Sequence, residues 1–241
     1  MDMSHLLILA AGTAILPTGS GQAASTCAVA RVTTPPSLDA KWDKAPWTNI
    51  KPMLIKEYMG DKPMHIPRTE AKIAYDDSAL YVIFRVEDRY VRSVMTTNQT
   101  FVCTDSCVEF FFSPTPALTN DYFNLELNCG GTMYFAYHGT NGEIKMTQSD
   151  MDAVKIAHSM PSVVEPEIKN PVTWTIEYRL PLDVLRKYSP IVQPAPGVKW
   201  RANFYKCADL TSQPHWLTWA PVDFPRPCFH LPAFFGTLEF K

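Results

Sequence analysis

Residues 79–88 read ALYVIFRVED. Leu80, Val82, Phe84 and Val86 alternate with Tyr81, Ile83, Arg85 and Glu87. Period two, built from β-branched and aromatic side chains, specifies a strand with one wholly apolar face. Residues 69–75 (TEAKIAY) precede it across Asp76-Asp77-Ser78, a turn of hairpin type. The same alternation recurs downstream. In 106–112 (SCVEFFF), Val108, Phe110 and Phe112 oppose Cys107, Glu109 and Phe111. In 122–128 (YFNLELN), Phe123, Leu125 and Leu127 oppose Tyr122, Asn124, Glu126 and Asn128. Gly130-Gly131 turns the chain into 132–137 (TMYFAY), and further strands are expected at 172–180, 199–206 and 236–240. Residues 31–36 read as an extended lead-in. One short helix is expected at 182–188, with Pro181 in its first turn and Pro190 beyond its end. Many short strands and one helical turn predict an all-β fold, a β-sandwich of jelly-roll or immunoglobulin-like type.

Composition agrees with that pattern. The chain has 241 residues, of which 46% are hydrophobic and 19% charged, which supports a sizeable core and excludes a mostly disordered chain. Its 21 prolines disfavour long helices. A net charge of −2 gives no basic face for nucleic acid. Leu6 to Leu16 (LLILAAGTAIL) is too short to span a bilayer. Small residues follow it, so residues 1–24 are expected to be a signal peptide and the protein secreted, periplasmic or surface-bound. Residues 25–241 then form one domain, expected to be a monomer. The six cysteines show no spacing that completes a zinc pattern, which argues against metal binding through sulfur. They are expected to be buried small hydrophobes, with room for one or two disulfides.

Glu109, Asn124 and Glu126 share the polar faces of two expected strands, with Phe111 and Tyr122 beside them. Carboxylates and amides there would be exposed, and would pair with sugar hydroxyls or simply with water. Glu109 and Glu126 also offer the two carboxyls a glycosidase needs. The last third of the chain is densest in aromatics, with Trp216 and Phe229 in proline-rich loops. Lys206 interrupts an aromatic strand and is expected to meet an acidic partner such as Glu109. His215 and His230 lack metal-ligand spacing, and His230 reads as a hydrogen-bonding group.

Four motifs in order carry a resemblance. Leu38-Asp39-Ala40-Lys41-Trp42-Asp43-Lys44-Ala45-Pro46-Trp47 resembles the DG-x-x-D-x-x-W opening of family 9 carbohydrate-binding modules. Tyr75-Asp76-Asp77-Ser78-Ala79-Leu80-Tyr81-Val82 resembles their D-x-x-x-LYV, and Asp105-Ser106-Cys107-Val108-Glu109-Phe110-Phe111 their DS-V-E-F/I-F. Phe235-Gly236-Thr237-Leu238 is similar to their FG-x-L. With Asn203 to Cys207 and Phe229-His230, the chain looks like the bacterial family 9-like branch from about Leu38 to Lys241. The resemblance implies a sandwich related to DOMON-like folds, with calcium ions supporting it. It implies a sugar held between two tryptophans and hydrogen-bonded by Glu109, Asn124 and Glu126. The tryptophan positions fall on Val102 and Phe229; valine cannot stack, and Phe101 or Trp216 is the substitute. The leading expectation is a saccharide-binding protein that assists glycoside hydrolases in polysaccharide breakdown. A glycoside hydrolase using Glu109 and Glu126 is the first alternative. A haem-binding DOMON-like domain is the second; some such relatives bind haem through Met and His, and Met133 and His138 are present here with no evident axial pair.

Overall fold

The computed structural model describes residues 25–241. The expected signal peptide at 1–24 lies outside the described residues. In chain order the strands begin with β1 (Thr26–Arg31), β2 (Met53–Ile55), β3 (Glu57–Tyr58), β4 (Arg68–Tyr75), β5 (Ala79–Asp88) and β6 (Val91–Ser93). Then come β7 (Cys107–Ser113), β8 (Tyr122–Asn128), β9 (Met133–Gly139), β10 (Gly142–Lys145), β11 (Lys155–His158) and β12 (Val164–Ile168). The last are β13 (Val172–Pro181), β14 (Lys199–Cys207), β15 (Trp216–Thr218) and β16 (Gly236–Phe240).

Two sheets face each other. One runs β10-β9-β8-β7-β14-β16-β1, with β15 and β3 appended to β14. The other runs β1-β4-β5-β13-β11, with β2 on β4. β1 belongs to both. Its first four residues pair with β16 and its last two with β4, both parallel. β6 and β12 form a separate ribbon. The alternating faces fall as the sequence predicts. Leu80, Val82, Phe84 and Val86 pack with Val108, Phe110, Phe112, Leu125 and Phe204 in one inter-sheet core. Phe110 stacks on Phe204 at 4.6 Å, and Phe84 reaches Phe204 across the gap at 6.0 Å. Each such aromatic contributes roughly 1.5–3 kcal/mol by leaving water. At the turn into β9, a Cβ on Gly130 would lie 2.4 Å from the Ser162 carbonyl oxygen, so only glycine fits.

Among the described residues two α-helices form where one was expected. The predicted one is shorter, Leu182–Arg186, and Pro181 is its N-cap. The other, Gln148–Ala153, is capped by Thr147, whose hydroxyl accepts from the Asp150 amide at 3.2 Å. It is too short for a helical period to register in sequence. β1 begins before the expected lead-in and is set by pairing on both sides rather than by its own pattern.

The outer faces of both sheets are covered, not bare. Over β5, Tyr81 and Ile83 pack beneath Trp42 and Trp47. Glu177 on β13, fully buried, fastens that cover. It accepts from the Ala40 amide at 2.9 Å, the Asp39 amide at 3.2 Å, Trp47 Nε1 at 2.8 Å and Lys44 Nζ at 2.7 Å.

Lys206 does not meet Glu109. The two fall on opposite faces of their sheet, because Tyr205, not Lys206, is the register partner of Glu109. Lys206 turns to the inter-sheet side, where its Nζ lies 2.8 Å from His215 Nε2 and 3.6 Å from Asp88 Oδ2. His65 Nε2 holds the other Asp88 oxygen at 2.6 Å. Burial, with the Lys206 charge adding to it, lowers His215 to about 3. For Asp88, burial raises the pKa, but Lys206 and His65 outweigh it and the net direction is down. A histidine depressed in the fold takes its proton first in the unfolded chain. Stability is therefore full above about 6.5 and falls as the pH drops from there toward about 3. Each pH unit of that window costs up to about 1.4 kcal/mol. Urea unfolding at pH 7, 5.5 and 4.5 should show this slope, and His215→Gln should flatten it. An unchanged slope in the variant would assign acid sensitivity elsewhere.

Candidate functional site

The non-core face of β7, β8 and β14 is the floor of the candidate site. Glu109 and Glu126 are direct register partners on adjacent antiparallel strands, and Phe111 pairs with Asn124. Their side chains share one face because strands alternate with period two. That places Glu109, Asn124 and Glu126 together, as expected, but buried rather than solvated. The reason is a second apolar cluster laid over this face. It contains Met59, Val102, Tyr205, Val222, Phe229 and Phe235, with Cys103, Trp216 and Cys228 packed against it. Asp105 anchors one of the covering segments by accepting from the Val94 and Met95 amides at 2.9 and 2.8 Å and from Asn128 Nδ2 at 3.0 Å.

A cavity of about 150 Å³ remains above the floor. Glu109 and Glu126 lie beneath it, Trp216 and Phe229 beside it, and Cys103, Cys207, Cys228, Asp209 and His230 complete its lining with Pro227. Phe229 stacks on Tyr205 with centroids 4.1 Å apart. Trp216 is half-buried and is oriented by Asp209, whose Oδ1 accepts from its Nε1 at 2.8 Å. His230 Nδ1 lies 2.7 Å from the Tyr122 hydroxyl, and Tyr122 stacks on His138 at 4.7 Å. Asn124 donates to Glu126 at 2.8 Å and lies 3.0 Å from His138 Nε2 through its other side-chain atom. Phe101 is 77% exposed and takes no part in the lining, whereas Val102 is buried beneath it. Of the two candidate stacking substitutes, Trp216 is the one at the cavity.

Burial dominates the electrostatics. It raises Glu109 well above the carboxylate range, with the Glu126 carboxyl next in effect. Burial also takes Glu126 to about 7 and Asp209 to about 6. Burial and the neighbouring carboxyl thus favour the protonated form of Glu109, which is both donor and acceptor. A wider depression of about 480 Å³ lies elsewhere, lined by Arg92, Glu165, Glu167 and Lys169 among others. It has no aromatic side chain to stack a ring, so the smaller cavity is the candidate site.

Four of the six cysteines, Cys27, Cys107, Cys129 and Cys207, are buried as expected. All six are free, so the room left for one or two disulfides is not used. Cys207 is the register partner of Cys107, and its Sγ donates to Glu109 Oε1 at 3.0 Å. The ligand atoms of Cys107, Glu109 and Cys207 all lie within 4.8 Å of one another. Sequence spacing missed this grouping because Cys107 and Cys207 are 100 residues apart in the chain and meet only through β7–β14 pairing. A sulfur-rich donor set does not fit the calcium implied by the resemblance, which takes oxygen ligands. The haem alternative fails on parity. Met133 faces the inter-sheet core, whereas His138 stacks on Tyr122 over the opposite face of β9, so the two cannot ligate one iron. Among the described residues no helix is long and apolar enough to cross a membrane.

Residues 36–240 match the sequence model of carbohydrate-binding family 9. No curated protein matches the chain. Among solved structures, a candidate carbohydrate-binding protein from Bacteroides uniformis is similar over 91% of this chain and 100% of its own, at 27% identity and a TM-score of 0.81. A family 9 carbohydrate binding module from Caldicellulosiruptor kristjanssonii, solved with cellotriose, is 14% identical with a TM-score of 0.61, covering 90% of this chain and 94% of its own. The same organism's module solved with glucose is 14% identical with a TM-score of 0.59, covering 90% and 96%. At that identity these two share the fold.

Proposed function

The chain belongs to carbohydrate-binding family 9, and from that premise we propose that it binds a saccharide in the cavity above Glu109 and Glu126. One observation carries the reading: hydrogen-bonding groups and a stacking indole converge on a single hollow. Glu109 and Glu126 supply donors and acceptors for hydroxyls, with Asn124 behind them bonded to Glu126, while Trp216 and Phe229 offer apolar faces to the C–H side of a pyranose. The cavity is smaller than the ~300–1,000 Å³ typical of drug-sized ligands. That size favours one terminal sugar ring over the interior of a polysaccharide. Hydrolysis fits less well. The two carboxyls stand side by side on one floor, whereas a glycosidase pair flanks the scissile bond. Export, and a role beside separately acting glycoside hydrolases, belong to the same proposal. The apolar run at Leu6 to Leu16 followed by small residues supports export.

The test is binding of the purified protein to a panel of monosaccharides and short oligosaccharides by calorimetry. Binding that improves little beyond one or two rings is the expected result. A folded protein that binds none of them would overturn the proposal. Trp216→Ala should weaken binding about tenfold, roughly 1.4 kcal/mol for one lost stacking face. An affinity unchanged in that variant would remove Trp216 from the site.

A further inference from the structure

The cavity floor concentrates acidic protons with no cation to match them. Cys107, Glu109 and Cys207 are each at least 98% buried. Glu126 and Asp209 stand beside them, and the lining contains neither lysine nor arginine. The nearest lysine along β14, Lys206, points to the opposite face and is engaged by Asp88 and His215. Burying this many acids without a counter-charge is unfavourable unless all stay protonated or a cation enters.

The arrangement is specific. Cys107 and Cys207 face each other across the β7–β14 ladder, and Glu109 follows Cys107 by two residues, hence on the same face. Strand pairing therefore fixes three donors independently of any loop. We propose that Cys107, Cys207 and Glu109 form a binding site for a zinc-class divalent cation. Two sulfurs and one oxygen are donors for a borderline-soft metal in tetrahedral coordination. The fourth position opens on the cavity, where a water or a hydroxyl completes it. The two thiol protons and the Glu109 carboxyl proton leave to solvent as the metal binds. This site shares Glu109 and the cavity with the saccharide reading, but it rests on strand register and needs no sugar to fill.

The experiment uses the full-length protein, reduced and stripped with chelator, and titrates it with Co²⁺ in the absence of sugar. The expected result is an intense near-ultraviolet thiolate-to-cobalt band that saturates at one equivalent and is displaced by Zn²⁺. C107S and C207S should each abolish the band, while C27S, on β1, should keep it. Far-ultraviolet circular dichroism reports whether each variant is folded. A folded, reduced wild type with no such band overturns the proposal, as does a band that survives C107S or C207S. A count of fewer than six titratable thiols in the denatured, unreduced protein, traced to a Cys107–Cys207 bond, also overturns it. Saccharide binding is run separately on the chelator-treated protein, so failure of either idea is visible without the other.

Discussion

Glu109→Ala is expected to weaken saccharide binding by at least about 100-fold while leaving the fold intact. The acid sits buried at the cavity floor, where burial favours its protonated form, with one oxygen accepting from Cys207. Two hydrogen bonds to a sugar at roughly 1.5 kcal/mol each amount to about 3 kcal/mol, or two decades in affinity. Stability should change little. Losing side-chain volume costs packing, but the substitution also removes one of two neighbouring acids that burial and mutual repulsion disfavour. Glu109→Gln discriminates further. An amide offers both a donor and an acceptor, as a protonated acid does, so glutamine should keep binding to within about tenfold. Calorimetry on both variants beside thermal unfolding is the measurement. Alanine binding like wild type would move the sugar elsewhere. Glutamine failing as badly as alanine would mean the bound form needs a carboxylate.

Glu177→Ala should cost about 3–5 kcal/mol of stability, because it removes a fully buried acceptor from four donors, one of them the Lys44 ammonium. For a domain of this size that is a fall of roughly 10 °C or more in melting temperature. Asp39, Ala40, Lys44 and Trp47 all belong to the opening motif by which the family is recognised. Their contacts with Glu177 give that motif a structural role, closing the outer face of the sheet that does not carry the cavity. Saccharide affinity measured well below the melting point should therefore match wild type. A variant that melts normally would show that the indole packing of Trp42 and Trp47 is sufficient without the carboxylate. One that melts early and also loses sugar would show that the two sheets are coupled.

Much of this was legible in the chain itself. Period two across 79–88, 106–112 and 122–128 determined which side chains face the core, since a strand leaves only two directions for a side chain. It also grouped Glu109, Asn124 and Glu126, and the four spaced motifs identified the family. What the pattern could not supply was everything that depends on which segments meet. An alternating polar face looks the same whether water or a loop lies over it, so these groups were expected to be solvated and are buried. Lys206 was assigned to Glu109 because strand parity between distant segments follows from register, and register is set by pairing. The same register brings Cys107 against Cys207. Local sequence carries the direction of each side chain through backbone geometry, which is a short-range property. The identity of its neighbour comes from strand order and loop cover, which exist only once the chain has closed on itself.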